Sequence, residues 1–221
     1  MITVEGSQIE KRAVCPPLEP GQPNMKSVRS IDHSYGDPLE LIWRSTAQKI
    51  GFRITRSSEV YASWDGAGTL ALGEHDDLDE DDCLAQMILH EICHALVEGE
   101  DALLKTDWGL ANEDDRDVTR EFAAMRLQAA LLTPHGLRQF LAVTTDWRAD
   151  YDALPNDPLQ GDDEAAQLAR EAWERAQTGA WASALNEALS ATAVIARATQ
   201  GFAGPASLWS TVTASSVSEV E

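Results

Sequence analysis

The run CLAQMILHEICHALVEG, residues 83–99, places His90 and His94 four positions apart with Glu91 beside the first of them. Its apolar residues predict a helix over about 80–97 that ends near Gly99. On a helix, the two imidazoles stand one turn apart on the same face, where a single cation can accept both. Glu91 then lies close enough to hold a water beside that cation and take its proton. A chain with 5 His would contain an H-E-x-x-H string by chance only about 0.01 times. Two ordinary helix histidines are the competing reading.

The flanking segments predict what this helix packs against. Pro16, Pro17, Pro20, Gly21 and Pro23 lie close together, so residues 1–36 read as an extended arm. Asp37-Pro38 is a helix start, and Leu39, Ile42, Trp43, Ala47 and Ile50 repeat at helical spacing up to a stop at Gly51. Three strands are expected, at Phe52–Thr55, Val60–Trp64 and Thr69–Leu72, the last two joined by the turn Asp65-Gly66-Ala67-Gly68. Thr69–Leu72 is expected to be the sheet edge beside the motif helix. Seven of the nine residues from Glu74 to Asp82 are acidic, and Asp79 is the expected N-cap of the motif helix.

Downstream, 99–112 reads as a loop around Trp108-Gly109, followed by a helix over about 114–132 that Thr133-Pro134 stops. Residues 163–178 and 181–198 read as a helical hairpin. Its second helix carries the stripe Trp181, Leu185, Ala188, Leu189 and Ile195, interrupted by Thr192. From Ser207 onward the chain has no periodicity and is expected to fray. The expected fold is α+β: an extended arm (1–36), a catalytic domain (37–145), a helical extension packed on it (146–200) and a flexible tail (201–221).

Two histidines leave a tetrahedral cation needing a third protein ligand and an open position. Glu113, Asp117 and Glu121 are spaced by four and share one face of the later helix. The segment EFAAMRLQAALLTP, Glu121 to Pro134, resembles the ImmA/IrrE-type metallopeptidases, in which H-E-x-x-H is followed by E-x-x-A-x-x-x-A-x-x-L-L-x-P. Ala124, Leu131, Leu132 and Pro134 fit that pattern, while Met125, Leu127 and Gln128 depart from it. The resemblance covers about residues 38–135. It implies a zincin-like core, made of a helix, a small three-stranded sheet, the H-E-x-x-H helix and a helix bearing the third ligand. It also implies Glu121 as that ligand, one catalytic zinc ion, and an endopeptidase that cuts a repressor or another specific regulatory protein. A processing protease that trims a precursor peptide is a variant of the same reading. Related enzymes often carry an Asp where Met125 stands, bonded to a zinc-bound His. Asp117 is the candidate to orient His90 or His94 in its place, and a solvated helix-start acid is the plainer reading of it.

In the expected mechanism, Glu91 activates a zinc-bound water, and the oxyanion is met by zinc and a donor: Tyr151, His135 or Tyr61. The acidic run 74–82 is expected to flank the cleft and favour a basic substrate, although a solvated loop is the plainer reading of it. Cys83 and Cys93 are ten residues apart on one helix, too far for a disulfide, and read as packing residues. Cys15 on the arm could reach the zinc as a thiolate and hold the enzyme latent. A metal-holding regulatory protein that cuts nothing is the rival from another class, and the intact Glu91 argues against it.

The net charge of −20 falls almost wholly after residue 60, which disfavours nucleic acid and anionic membrane as partners. There is no apolar run of membrane-spanning length and no signal-peptide pattern, and 3 Cys suggest no disulfide framework. The expected location is the cytoplasm.

Overall fold

The structure, a computed structural model, describes residues 32–111 and 117–214. Cys15 and most of the expected arm, Glu113, and the last part of the expected tail lie outside the described residues. Gly36–Glu221 forms one compact unit, and the elements below all belong to it. Mixed α+β architecture is present: six α-helices and one three-stranded sheet among the described residues.

Helix α1 runs Pro38–Lys49. Asp37 caps it, its Oδ1 accepting from the backbone N–H of Leu39 at 2.9 Å and of Glu40 at 3.0 Å. At the other end Gly51 takes φ +96°. This lets Phe52 N–H reach Ala47 C=O at 2.8 Å and Gly51 N–H reach Gln48 C=O at 3.1 Å, closing a Schellman turn. Leu39, Trp43 and Ala47 face inward as their spacing predicts.

The strands are β1 (Arg53–Ser57), β2 (Ala62–Trp64) and β3 (Thr69–Gly73). Their order is β1-β3-β2, with β1 parallel and β2 antiparallel to β3. The expectation that Thr69–Leu72 forms an edge is therefore corrected: β3 is the central strand. Leu70 and Leu72 are wholly buried, and a central strand is where an apolar run finds a neighbour on both sides. The flanks go to β1, with Arg53 and Arg56, and to the short β2.

Helix α2, Leu84–Glu98, is the centre of the unit. All of its residues except His90, Glu91 and Glu98 are buried, and it packs against α1, against α3 (Val118–Leu132) and against α5 (Glu164–Thr178). A helix apolar on every side needs such a sheath. It starts later than expected, because its N-cap is Cys83, whose Sγ accepts from Gln86 N–H at 3.4 Å. Asp79 instead belongs to a preceding turn, donating its N–H to Asp82 Oδ2 at 2.9 Å. Cys83 and Cys93 are both free thiols, and burial, with the Glu91 and Glu121 carboxylates nearby, pushes Cys93 well above the usual thiol range.

Between α3 and α5 lies the short α4, Arg148–Asp152. The α5 face made by Ala165, Ala166, Ala169, Ala172 and Ala176 is buried, and small side chains let it lie close to α3. Helix α6, Ala182–Gln200, returns beside it and packs on α1. Thr192 does not interrupt its stripe: the residue is wholly buried and accepts the Trp43 Nε1–H at 3.0 Å. The segment after Ser207, expected to fray, is packed through Thr213. Trp209 meets Phe140 with ring centroids 4.6 Å apart, Val212 is buried, and Thr213 N–H reaches Gly136 C=O at 2.9 Å. Gly136 has φ +72°, and a Cβ there would lie 2.1 Å from the Thr213 carbonyl oxygen, so only glycine fits. A few apolar residues without a period hold this segment, which is why periodicity does not reveal it. No helix among the described residues is long and apolar enough to cross a membrane.

Replacing Trp43 by Phe removes the donor to Thr192 and leaves a small void. A loss of about 2–4 kcal/mol is expected from urea unfolding, with the double variant Trp43→Phe/Thr192→Val costing less than the sum of the two singles.

Candidate metal centre

Two helices bring three donors together. His90 and His94 leave α2 on one face, their rings 4.6 Å apart and edge-to-face. Glu121 comes from the first turn of α3, where the helix N-terminus favours an anion. His90 Nε2 and His94 Nε2 are 3.1 Å apart, and the Glu121 oxygens lie 3.3 Å from the first and 3.1 Å from the second. Oε1 makes the first of these contacts and Oε2 the second, so the two nitrogens and the carboxylate group mark the corners of a small triangle. A tetrahedron with bonds of about 2.0–2.1 Å has edges of about 3.3 Å, so the donor set fits a single cation. The group could hold a metal ion, and two imidazole nitrogens with one carboxylate leave a fourth direction open.

The electrostatics follow from the same closeness. Burial opposes charge on His90, but the Glu121 carboxylate, its hydrogen bond and the Glu91 charge together push the imidazole up to about 9. Burial alone would raise Glu121, yet His90 and His94 outweigh it and hold the carboxyl well below the usual range.

The outer partner of His90 is Gln128, wholly buried on α3. Its Nε2 donates to Leu141 C=O at 2.8 Å, which turns its Oε1 toward His90 Nδ1 at 2.9 Å. His90 therefore carries its proton on Nδ1 and offers Nε2 to the shared centre. The sequence marks Gln128 only as a departure from the family pattern. Its signal was the spacing of seven from Glu121, two turns along one helix face. Asp117, the expected orienting acid, does other work: its Oδ2 accepts from Ala111 N–H at 2.6 Å at the entry to α3. Among the described residues His94 Nδ1 is buried without a hydrogen bond.

The donors open into a cleft of about 360 Å³. Tyr61 and Ala62 at the start of β2 form one side, Asp107 and Trp108 a second, and Val143, Thr144 and Trp147 a third. Glu91 lies on its floor and is not one of the three donors. Its Oε2 accepts the Trp108 Nε1–H at 2.9 Å. That indole arrives by an unusual backbone route. Asp107 and Trp108 have φ +47° and +59°, and Gly109 follows at +82°. Left-handed conformations in non-glycine residues cost about 1–2 kcal/mol each, and no sequence pattern announces two in succession.

The three oxyanion candidates separate. Tyr61 lines the cleft, but its hydroxyl donates to Asp82, and burial with that carboxylate raises its pKa far above the usual phenol value. Tyr151 is wholly buried and donates to Arg138 C=O at 3.0 Å, so it is a core residue. His135 lines a separate groove of about 1130 Å³ with Arg197, and burial followed by that cation lowers its pKa. Neither of these two lines the cleft. Residues 74–81 do not line the cleft either. Glu74, His75, Glu80, Asp81 and Asp82 line another groove, while Asp82 also accepts from Tyr61 and Thr144 of the cleft wall, so the acidic run meets the cleft at its last residue.

The chain matches no protein-family profile, no curated protein and no solved structure.

The full chain is expected to bind one equivalent of Zn(II) or Co(II) in a calorimetric titration. His94→Ala and Glu121→Ala should abolish stoichiometric uptake, and Gln128→Ala should weaken it by about 10–100-fold. Undiminished uptake by His94→Ala would move the cation elsewhere.

Proposed function

We propose that the chain is a zinc-dependent metallopeptidase with a zincin-like core, of the kind that the ImmA/IrrE-type enzymes represent, and that it hydrolyses a peptide bond in a specific protein or precursor peptide. The observation that carries this reading is Glu91. A purely structural cation site has no use for a further carboxylate that ligates nothing, and here one stands beside the donors on the floor of an open cleft. The order of elements, the H-E-x-x-H helix and the Glu-bearing second helix support the same reading.

His90, His94 and Glu121 would hold the zinc, which supplies a Lewis acid that polarises a carbonyl and acidifies water. Glu91 accepts a proton as a water oxygen bonds to the peptide carbonyl carbon. The same proton then passes to the amide nitrogen as the C–N bond breaks, so that Glu91 ends as it began and the products are a carboxylic acid and an amine. Gln128 keeps His90 in the tautomer that faces the centre. The volume suits a short extended stretch of chain rather than a folded surface.

Substrate placement follows the corrected topology. The open edge next to the cleft belongs to β2, where Ala62 lines it. Trp64 N–H on that edge is already taken by Asp107 Oδ1 at 3.0 Å. An extended substrate backbone therefore has the Ala62 end of β2 to pair with, and the Trp64 end is closed.

Glu91→Gln in the full-length, zinc-loaded chain is the test. Zinc content should stay at one per chain, and hydrolysis of denatured casein or a mixed peptide library should fall about 10²–10⁴-fold. Equal turnover by parent and variant would exclude Glu91 as the base, and full zinc with no hydrolysis by the parent would favour a metal-holding protein that cuts nothing.

A further inference from the structure

We infer that Trp108 is a positioning residue for Glu91, and that the left-handed segment Asp107-Trp108-Gly109 exists to deliver its indole N–H to that carboxylate. The role in catalysis rests on the hydrolytic reading above, whereas the contact and its cause do not.

Four observations converge on it. The Trp108 Nε1–H is 2.9 Å from Glu91 Oε2, so one carboxylate oxygen is committed and the other is left to the cleft. The indole is itself fixed: Trp108 is 3% exposed, stacks on Trp64 with centroids 4.5 Å apart and planes 12° from parallel, and meets Phe52 at 5.6 Å. The backbone that carries it is held from β2, because Asp107 Oδ1 accepts both Ser63 Oγ–H at 2.9 Å and Trp64 N–H at 3.0 Å. Trp64 Nε1–H adds a third tie to Leu103 C=O at 3.1 Å. Finally, a bulky residue in the left-handed region persists only when its surroundings over-determine it, and here the Asp107 side chain and the Trp64 ring join β2 to the residue that donates to Glu91.

The geometry has a chemical use. Glu91 sits on α2 next to a ligand, and a carboxylate on a free rotor would turn among several positions, including toward the centre. A single N–H donor from a rigid ring selects one rotamer without adding charge. Holding a base within a fraction of an ångström of its proton is worth a large factor in rate. Ring stacking alone would not call for an indole: phenylalanine fills the same stack but has no N–H.

The chain has 7 Trp, and in the ¹⁵N-labelled, zinc-loaded protein the indole signal lost in Trp108→Phe identifies this N–H. That signal is expected to shift, and to exchange faster with solvent, in Glu91→Gln. It should do so again in Asp107→Ala, which removes the tie to β2. On denatured casein Trp108→Phe should lower kcat about 10–100-fold, with KM and zinc content unchanged. An indole signal indifferent to Glu91→Gln overturns the contact. Unchanged kcat in a folded, zinc-loaded Trp108→Phe overturns the positioning role. Should Trp108→Phe fail to fold, Asp107→Ala carries both readouts. A parent chain that cuts nothing while the indole still answers to Glu91 removes the hydrolytic reading and the catalytic role with it, and leaves the contact as a structural tie.

Discussion

A carboxylate shared between two imidazoles, where the cleft meets the apolar core, is the interaction on which the unit is arranged. Taking such groups out of water costs several kcal/mol per charge unless geometry and hydrogen bonds make it good. Here the compensation is mutual. Glu121 lies 3.3 and 3.1 Å from the two imidazoles, Gln128 takes the outward N–H of His90, and α3 presents its N-terminal turn to the anion. Each of these requires α2 and α3 to keep one relative rotation. A one-residue slip of either helix would turn its donor about 100° away and leave the rest buried without partners. The alanine face of α5 against α3 and the all-round burial of α2 then serve as the packing that makes the rotation unique.

The second arrangement is the connection from sheet to helix. β3 takes the centre of the sheet, which leaves β2 at the edge beside the cleft. Part of that edge is closed by the Asp107 side chain, and the strained residues 107 and 108 run from it to Glu91. The one group placed beside the donors without ligating is thus tied to the strand expected to receive substrate. In the proposed hydrolysis this gives binding and proton transfer a common frame, built from stacked rings rather than from a flexible loop.

Much of this was legible in the residues themselves. Asp37-Pro38 and Gly51 mark α1 because capping chemistry is local, and the i, i+4 histidines mark the centre because helical spacing is a fixed rule; that rule leaves Glu113, Asp117 and Glu121 equal, and only the family resemblance points to Glu121. What could not be read depends on contacts between distant segments. Strand order turns on which strand best tolerates two neighbours, and the apolar run Thr69–Leu72 gains that meaning only in comparison with the more polar β1 and the shorter β2. Trp108 reaches Glu91 only through two left-handed residues. Thr192 looks like a flaw in a stripe until Trp43 supplies a donor from 149 positions away. Tyr151 and His135 show the converse, since a polar group downstream of α3 can end in the core or on another face.

Asp82 stands where three segments converge. Its carboxylate accepts from Tyr61 at the start of β2, from Thr144 on the opposite wall and from the backbone of Asp79 before α2. One side chain therefore ties together two walls of the cleft and the entrance to its floor. A slot braced in this way is finished when folding is finished. The ordering entropy of its walls is spent then, and an arriving chain must supply only its own. In the proposed hydrolysis such a slot would select a peptide by shape at first encounter and adapt little, which favours a narrow substrate.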